Sequence, residues 1–556
     1  MPGQENDVVI VGASAAGLRC AARLRRLQPK RAITVVEKGD VFSLAACGMP
    51  YVLSGDIPGT KELLTTDDGT IRDLRYFSEV KGIKILANTE ALSVDVEDHL
   101  LHVRGTSGET DISWGELVLA TGARPRQLVG QPRHPRVTAF HRLDDLRTLD
   151  DGLKKGKIGR VVIVGAGLVG CELAEAFKAM WDARVCLLEA GPWPLPQVLD
   201  AQAGAVVAHE LKSNGVELYC DEFVKSICAD DHGVEVKTSV GVHKGDMVIV
   251  AFGVQPVVEL ARSAGAEIGP SGAIAVDERM ATSVEHLWAV GDCVQVRHAV
   301  NGTALHMPMG SLANRQGRIL ANILAGRKQT FGPVAGAIAI KVFDLNVAAV
   351  GISLDKALKT FSDAQAVWSA PHDSAHYWPE SETILLQMVF DGKTRKVLGV
   401  QAVGKGECAK RIDVAAQFIR TGAVLDDFLN LEHAYAPPYA PAMEPLAQLA
   451  MIADNQLDGI AAKAPGPYFG SLKILDVRND QEREEIPIDG ADVLAMEQSL
   501  VRSKISQLPT EPVVVLCSRG TRSAEVCRLL VQHGLDACYL GGGVAWLLAM
   551  GLVRKN

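Results

Sequence analysis

Short apolar runs, each ending at a glycine or a glutamate, organise the first half of the chain. The run Val8–Val11 ends at Gly12, and a stretch with helical character continues to Leu27. A second run at 32–36 ends at Glu37. This order predicts a strand, a helix and a parallel strand, which together form a βαβ unit. It recurs later in the chain, at 160–164, 165–178 and 184–188, ending at Glu189.

The pattern changes beyond residue 330, where no further glycine turn of this kind follows. The segment Leu287–Asp292 resembles a closing strand of the first unit, so we expect the second unit to be inserted within the first domain. A stretch rich in small residues, Pro and Gly predicts a linker, and a fresh apolar run starts at Leu472. The expected parts are a first domain at 1–125 and 251–330, an inserted domain at 126–250, a mixed domain at 331–451, a linker at 452–469 and a last domain at 470–556.

The composition of the chain disfavours nucleic-acid-binding, membrane-spanning and disulfide-rich classes of protein. A chain of 556 residues is long enough for several domains, and 47% apolar with 22% charged residues is typical of a soluble protein. A net charge of -9 argues against nucleic acid or an anionic membrane as the main partner. We expect no signal peptide or membrane span. The eleven cysteines are scattered without a Cys-x-x-Cys pair, which predicts a reduced, cytoplasmic chain.

Two glycine turns carry the first candidate chemistry. In such turns the first glycine allows a tight bend, a small middle residue admits a pyrophosphate, and the last lets helix and strand pack closely. Glu37 and Glu189 follow at the distance where a carboxylate binds ribose hydroxyls. The second strand end offers no Arg or Lys for a 2′-phosphate, which favours NADH over NADPH. The predicted cofactor residues of the turns are Gly12, Ser14, Ala15, Ala16, Gly17, Gly165, Gly167, Val169 and Gly170.

Three further segments, Ala120–Pro125, Phe252–Pro256 and Ala289–Asp292, resemble the pyridine nucleotide-disulfide oxidoreductase family. The resemblance implies an α/β fold with two Rossmann-type domains, the first for FAD and the second for NAD(P)H, and an α+β dimerisation domain. It places Asp292 at the flavin ribitol and Thr121 and Gly122 along its site. The remaining cofactor residues that it implies are Lys38, Ala120 and Gly253.

Cys47 is the one cysteine of the segment Ser43–Tyr51, which lies between the two turns. Glutathione-reductase types carry two cysteines in this segment, so Cys47 must cycle through a mixed disulfide, a persulfide or a sulfenic acid. A nearby flavin and a helix N-terminus would favour its thiolate. The alternative is a small buried thiol that packs as an apolar group.

The single-cysteine members of the family are coenzyme A-disulfide reductases, persulfide reductases, and NADH oxidases or peroxidases. The last group carries a histidine where this chain has Ala15. Arg19, Arg23 and Arg26 lie on one helix face, a stripe suited to coenzyme A phosphates, or else a solvated basic face. The resemblance adds Ser43 and Asn314 as substrate contacts, and Tyr377 and Tyr435 as tyrosines offered by the partner subunit of a homodimer. Two positions depart from the pattern, Ala46 and Met443.

Residues 470–552 resemble a rhodanese domain of the α/β class, through segments at 476–478, 513–517 and 541–546. Cys517 ends a strand and opens a loop before a helix, so backbone N–H groups should converge on its sulfur. Arg522 closes a six-residue loop, and Ser523 stands where related phosphatase loops place their arginine, which favours sulfur chemistry. A docking role without chemistry is the alternative.

The sequence thus predicts a cytoplasmic, homodimeric FAD enzyme that uses NADH to reduce coenzyme A disulfide or persulfides. Its predicted catalytic residues are Cys47, Cys517, Tyr377 and Tyr435, and Arg522 is a predicted substrate contact. His372 and His376 have metal-like spacing, but we expect no metal because no third ligand accompanies them. The rival hypotheses are an NADH oxidase or peroxidase, and a redox-sensing protein that delivers sulfur to a partner.

Overall fold

The structure is a computed structural model that describes residues 7–466, 473–488 and 493–556. Its first sheet has five parallel strands drawn from two separate stretches of the chain. Across the sheet they are Leu287–Ala289, Glu116–Leu119, Val8–Val11, Ile33–Val36 and Lys84–Leu86. Helix Ala15–Leu27 follows the central strand and packs on helix Gly310–Leu324. The first predicted βαβ unit is confirmed.

The second sheet repeats this design. Its parallel strands, in order across the sheet, are Glu217–Tyr219, Arg184–Leu188, Arg160–Val164, Met247–Val250 and Val137–Ala139. Its helices are Leu143–Lys154, Leu168–Trp181 and Ala201–Ser213. The second βαβ unit is confirmed, and the chain leaves and re-enters the first sheet around it, as Leu287–Ala289 shows.

Smaller elements surround these two sheets. Two three-stranded antiparallel sheets comprise Glu90–Asp95, Leu100–Gly105 and Gly108–Ser113, and Val224–Ala229, Val234–Thr238 and Val242–Gly245. Two strand pairs join Ala123–Pro125 to Val254–Pro256, and Gln295–Arg297 to Ala304–His306. Short helices and turns lie at Ala46–Gly48, Met49–Leu53, Glu62–Leu64, Tyr76–Val80 and Glu259–Ser263.

The third sheet is antiparallel, in the order Ile338–Val342, Leu345–Gly351, Val397–Gly404, Ile384–Asp391 and Ala364–Ser369. Every residue of its two central strands, Ile384–Asp391 and Val397–Gly404, is buried. Strands of this kind are covered on both faces. The accompanying helices are Leu354–Ala357, Ala409–Thr421, Leu425–Leu429 and Pro445–Leu457.

The last sheet is parallel, with the strands Ala462–Lys463, Ala537–Leu540, Val513–Leu516, Lys473–Asp476 and Val493–Ala495. Its helices and turns are Asp480–Glu485, Gln498–Val501, Ile505–Gln507, Thr521–Gln532 and Val544–Ala549. These elements form a C-terminal α/β domain. Leu472, the predicted start of its first apolar run, lies outside the described residues.

The predicted linker at 452–469 is wrong over much of its length. Residues up to Leu457 continue the helix Pro445–Leu457, in which Ala453 is fully buried. Ala462–Lys463 is an edge strand of the C-terminal sheet. The small residues of this segment allow close packing. Flexible linkers contain the same residue types, so composition alone does not distinguish the two. Residues 467–469 lie outside the described part of the chain.

A buried carboxylate joins the second domain to the third sheet. Asp200 precedes helix Ala201–Ser213 and accepts hydrogen bonds from the amides of Gln387 and Gln401, each at 2.7 Å. The backbone N–H of Leu354 donates to both carboxylate oxygens at 3.0 Å. Burial raises the pKa of Asp200, and these donors partly offset that effect.

Replacing Asp200 by Ala will leave buried amide groups without an acceptor. We expect a loss of about 2–4 kcal/mol in the free energy of unfolding, because unsatisfied buried donors are costly. Urea unfolding measures it. Asp150→Asn, at the surface pair with Lys154, is the control and should change stability by less than about 0.5 kcal/mol. Equal stability of the two variants would contradict the assigned role of Asp200.

Candidate functional site

The two glycine turns have the same backbone geometry. Gly12 and Gly165 adopt φ values of +111° and +107°, in the left-handed region that favours glycine. A Cβ atom at Gly17 would lie 2.0 Å from the carbonyl oxygen of Gly12, and one at Gly170 would lie 1.8 Å from that of Gly165. Side chains at these positions are therefore excluded by the close packing of helix on strand.

A glutamate completes each turn. Glu37 accepts a hydrogen bond from the backbone N–H of Ala13 at 2.7 Å, and Glu189 accepts one from Ala166 at 2.8 Å. Each carboxylate therefore lies beside its turn, where a ribose bound against the turn would meet it. A Cβ at Gly167 would have no atom within 4 Å, so the middle of the second turn is open. These residues fit a dinucleotide.

The other predicted cofactor residues surround these turns. Ser14 precedes helix Ala15–Leu27 as its N-cap, and Ala15 and Ala16 form its first turn. Val169 lies exposed in the first turn of Leu168–Trp181. Ala120 packs against Gly12, and the backbone is left-handed at Gly122 and Gly253.

Two polar side chains of the predicted set are already engaged by the protein. The hydroxyl of Thr121 donates to the carbonyl of Val257 at 2.7 Å. Lys38 forms a surface ion pair of 2.6 Å with Glu90. The first contact connects the loops that contain Thr121 and Val257, and the second keeps the Lys38 side chain at the surface.

Asp292 lies beyond strand Leu287–Ala289, and no side chain in the described chain donates a hydrogen bond to its carboxylate. Burial raises its pKa, while His306 and His141 act in the opposite direction. A buried carboxylate with free acceptor atoms suits a polyhydroxyl ligand such as a ribitol chain.

Cys47 lies in the turn Ala46–Gly48 and is exposed at the protein surface. Partial burial raises its pKa, and the carboxylates of Glu172 and Asp292 raise it further. Burial and like charge thus oppose ionisation of Cys47, while the predicted support of its thiolate by a bound flavin stays a prediction.

Glu172 was missed in the sequence. It lies on helix Leu168–Trp181, and the hydroxyl of Tyr51 donates to its carboxylate at 3.3 Å. Burial raises the pKa of Glu172 to about 7. Its charge therefore changes near neutral pH beside Cys47. The sequence signal that could have identified Glu172 is its position two residues after Gly170, the last glycine of the second turn.

Arg19, Arg23 and Arg26 lie on one face of their helix, as predicted, and two further arginines join them. Burial lowers the pKa of Arg23, as do Arg318, Arg327, Arg26 and Arg19 in that order. Within the described ranges, no carboxylate forms an ion pair with any of the five, which we call the arginine cluster. Asn314 lies exposed on the helix that carries Arg318 and donates to the carbonyl of Gly310. The cluster is thus an uncompensated positive surface.

Ser43 precedes Cys47 in a left-handed conformation, with φ +51°. Its N–H donates to the carbonyl of Ala13 in the first glycine turn at 2.9 Å, and its hydroxyl accepts from Arg72 at 3.2 Å. Arg72 also donates to Leu63 at 2.9 Å. Arg72, which sequence reasoning missed, therefore connects the cysteine segment to the following loop.

Tyr377 and Tyr435 are exposed and lie against each other. The hydrogen bond between the hydroxyls of Tyr377 and Tyr435 is the main cause that raises the pKa of Tyr377. Buried Arg411 holds both loops, since it donates to the carbonyl of Asp373 and, at 3.0 Å, to the carboxylate of Glu444. No hydrogen bond or ring contact in the described single chain joins either tyrosine to Cys47.

The rings of His372 and His376 lie 6.4 Å apart. The hydroxyl of Ser381 lies 3.1 Å from Nδ1 of His372. Across the described ranges, no group of three or more His, Cys, Asp or Glu side chains could hold a metal ion. The described helices include none long and apolar enough to cross a membrane.

Cys517 is buried at the end of strand Val513–Leu516. The backbone N–H groups of Gly520 and Ser523 donate to its sulfur at 3.1 and 3.4 Å. The predicted convergence of N–H groups is therefore present. Arg522 donates two hydrogen bonds of 2.8 and 2.5 Å to Glu482. This pair is the main cause that raises the pKa of Arg522, and the nearby sulfur of Cys517 adds to the effect. We call residues 517–523 the Cys517 loop.

Comparison with known proteins identifies the family to which a chain with this geometry belongs. Residues 6–307 match the pyridine nucleotide-disulphide oxidoreductase family, and residues 338–447 match its dimerisation domain. The chain belongs to this family. The family depends on FAD and NAD(P)H, and its dimerisation domain corresponds to the third sheet and its helices.

Three similar proteins illustrate the range of the family. A Pyrococcus abyssi protein named NAD(P)H sulfur oxidoreductase (CoA-dependent) is 34% identical over 450 residues, which cover 81% of this chain and 98% of that protein. A Methanocaldococcus jannaschii protein named NADH oxidase is 30% identical over 455 residues, covering 80% and 97%. The solved NAD-dependent persulfide reductase from A. fulgidus is 34% identical with a TM-score of 0.93, covering 98% of this chain and 100% of that one. That last likeness extends over the C-terminal domain.

Replacing Glu172 by Gln will lower the pKa of Cys47. Glu172 is largely protonated below about pH 6 and ionised above about pH 8, so wild type and variant should react alike at the lower pH. At the higher pH the variant should be alkylated about threefold faster, because a like charge has been removed. The rate of iodoacetamide labelling of Cys47 against pH measures it.

Asp182→Asn, at the far end of the same helix, is the matched control for this charge change. Its side chain is exposed and pairs with Lys178. Its labelling profile should follow the wild type. A Glu172→Gln profile that also follows the wild type would show that this carboxylate does not act on Cys47.

Proposed function

We propose that the chain is an NADH-dependent, FAD-containing reductase of coenzyme A disulfide, coenzyme A persulfide or related polysulfides. The observation that carries the proposal is Cys47, a single exposed cysteine between two glycine turns of matching geometry. The names of the similar proteins from Pyrococcus abyssi and A. fulgidus support the substrate class. We propose the domain division 1–125 with 251–330 for FAD, 126–250 for NADH, 331–451 for dimerisation and 470–556 for sulfur transfer.

FAD would be held by the first turn, with Glu37 at its ribose and Asp292 at its ribitol. NADH would be held by the second turn, with Glu189 at the ribose. A carboxylate at this position and no basic neighbour after the strand favour NADH over NADPH. Bound FAD would supply the transfer of an electron pair from NADH to sulfur.

Cys47 would act as the nucleophile. Its thiolate attacks the carrier sulfur of a persulfide R–S–SH, forms Cys47–S–S–R and releases HS⁻. Two electrons from NADH then cleave the mixed disulfide, which returns the Cys47 thiolate and releases RS⁻. The sum is R–S–SH and NADH giving R–SH, HS⁻ and NAD⁺. Glu172 lies where it can hold a proton beside Cys47 during this cycle.

The arginine cluster would bind the phosphates of coenzyme A. Guanidinium groups suit phosphate oxygens, and these five lack a carboxylate partner among the described side chains. Ser43 and Asn314 would complete the substrate contacts. In a homodimer, Tyr377 and Tyr435 of one protomer would approach Cys47 of its partner, where their hydroxyls can donate to a departing thiolate.

The C-terminal domain would act as a rhodanese. The buried sulfur of Cys517 accepts two backbone hydrogen bonds, an arrangement that stabilises a thiolate or a persulfide anion. Cys517 would take sulfane sulfur from a donor and pass it to a small thiol, which then carries it to Cys47. Arg522, which pairs with Glu482 and also interacts with the sulfur of Cys517, would serve as the predicted substrate contact of this loop.

The deciding experiment is anaerobic NADH oxidation with coenzyme A persulfide, coenzyme A disulfide and hydrogen peroxide in parallel. Cys47→Ser should lower persulfide turnover and sulfide release by more than about 1000-fold, because the nucleophile is removed. Cys228→Ser, which changes another exposed cysteine on strand Val224–Ala229, is the control and should retain full activity.

The parallel arms separate the rival functions. Turnover with peroxide alone would make the chain an NADH peroxidase, an activity related to that named for the Methanocaldococcus jannaschii relative. Absence of NADH turnover with every substrate, together with a stable persulfide on Cys517, would make it a sulfur-delivery protein.

Replacing Arg23 by Gln should raise the KM for coenzyme A persulfide about tenfold and leave kcat nearly unchanged, because one charge-assisted phosphate contact is lost. Steady-state kinetics at fixed ionic strength measures it. Arg147→Gln is the control, since Arg147 is an exposed helix arginine paired with Asp144. An unchanged KM in Arg23→Gln would remove the arginine cluster from the substrate site.

A further inference from the structure

The two domains that carry glycine turns hold the backbone of their glutamate alike. The N–H of Thr89 donates to the carbonyl of Glu37 at 2.8 Å, and the N–H of Glu222 donates to the carbonyl of Glu189 at 3.0 Å. The side chains at these two donor positions differ. The hydroxyl of Thr89 donates to the nearby carbonyl of Ala87 at 3.0 Å, whereas Glu222 brings a buried carboxylate. An ionisable group is therefore linked to the second glutamate where the first domain has a hydroxyl.

Residues 219–222 also border the carboxylate of Glu189. The N–H of Glu189 donates to the carbonyl of Tyr219 at 2.8 Å, so this segment holds both backbone groups of the glutamate. Burial raises the pKa of Cys220 to about 11, and the charge of Glu189 contributes to this rise. The thiol of Cys220 therefore lies near that carboxylate. A displacement of the segment 219–222 would shift Glu189 with it.

The carboxylate of Glu222 belongs to a buried chain of hydrogen bonds. The hydroxyl of Thr238 donates to Oε2 of Glu222 at 2.7 Å, and Nε2 of His243 lies 2.8 Å from the same oxygen. On the other side of the ring, Nδ1 of His243 lies 3.5 Å from Sγ of Cys186. The side chains of His243 and Glu222 are each only 10% exposed. We call Cys186, His243, Glu222 and Thr238 the His243 network.

The donors and acceptors of the His243 network follow one direction. Burial raises the pKa of Glu222, but the hydrogen bonds from His243 and Thr238 outweigh this effect and hold that pKa below its usual value. The ionised carboxylate has no proton to give, so Nε2 of His243 is the donor. Nδ1 of a neutral ring is then an acceptor. Burial raises the pKa of Cys186 to about 12, so its thiol can donate to that nitrogen.

The His243 network joins the second glycine turn to a separate sheet. Cys186 lies three residues before Glu189 in the chain. Thr238 and His243 come from two strands of the three-stranded sheet that packs on this face of the domain. The ring of His243 lies against that of Tyr219, with centroids 4.6 Å apart. The three-stranded sheet therefore supports the segment 219–222 through buried polar contacts.

Such support is useful where a ligand leaves in every cycle. A cofactor that stays bound, as FAD would at the first turn, helps to keep its own surroundings in place. NADH would leave the second turn after each turnover, and the empty site must keep its shape for the next molecule. Hydrogen bonds within the protein that hold this shape lower the entropic cost of binding.

We propose that the His243 network is a positioning element that holds Glu189 in place for the adenosine ribose of NADH while the site is empty. This inference rests on the proposed binding of NADH at the second turn. It adds residues that act through Glu189 rather than on the nucleotide. Breaking the network should weaken NADH binding and leave the later chemistry at Cys47 unchanged.

The test measures ADP-ribose binding to the FAD-loaded full chain by isothermal titration calorimetry, and the KM for NADH in turnover of coenzyme A persulfide. ADP-ribose carries the adenosine ribose and cannot reduce the flavin. His243→Phe keeps a ring on Tyr219 but removes the donor to Glu222. It should raise the ADP-ribose dissociation constant and the KM for NADH about tenfold, with kcat within about twofold. His243→Gln, whose amide N–H can reach the same carboxylate, should restore both values.

A second pair of variants removes the other donor. Thr238→Val should raise the ADP-ribose dissociation constant about threefold, and Thr238→Ser should restore it. The matched control is His102→Phe. His102 pairs with Asp111 on the three-stranded sheet of the first domain, where both side chains are exposed. This variant should bind ADP-ribose and NADH like the wild type.

The outcomes separate this inference from the function on which it rests. A wild-type chain that binds neither ADP-ribose nor NADH would refute the proposed nucleotide site itself. Wild-type binding with an unaltered ADP-ribose constant in His243→Phe and Thr238→Val would overturn the positioning role alone, even if both variants unfold at a lower temperature. A loss that His243→Gln and Thr238→Ser do not restore would also overturn it, because binding would then not depend on the hydrogen bonds to Glu222.

Discussion

The burial of the third sheet on both faces is the constraint on which the rest of the arrangement depends. Its central strands, Ile384–Asp391 and Val397–Gly404, have no exposed residue. Elements packed on such a sheet must satisfy its polar groups, which Asp200 does from the second domain. The indole of Trp546 does so from the C-terminal domain. Because hydrogen bonds are directional, these contacts fix how the two domains lie and not only that they adhere.

The glycine turns show a second constraint, the close approach of a helix to a strand. Gly17 and Gly170 lie so near the preceding carbonyl oxygens that no side chain fits. The glutamates at the ends of the second strands accept hydrogen bonds from the turns, so Glu37 and Glu189 are positioned before any ligand binds. Such preorganisation lowers the entropic cost of binding a nucleotide.

Charge is distributed unevenly between the two sulfur sites. Burial raises the pKa of Cys47, and the carboxylates of Glu172 and Asp292 raise it further. The Cys517 loop instead has backbone N–H groups on the sulfur, and the guanidinium of Arg522 also interacts with that sulfur. The protein groups at the first site therefore oppose ionisation of the thiol, whereas the backbone N–H groups at the second site stabilise negative charge on sulfur.

Local sequence patterns alone predict the two βαβ units, the glycine turns with their glutamates, the stripe formed by Arg19, Arg23 and Arg26, and the loop around Cys517. These features depend on neighbours within about 30 residues, so local patterns encode them. Folding of the whole chain established the remaining features. It brought Arg318 to the arginine stripe and Glu172 to Cys47, and it turned part of the expected linker into helix and strand. Such contacts join residues far apart in the chain, and burial and charge there depend on packing that no local pattern records.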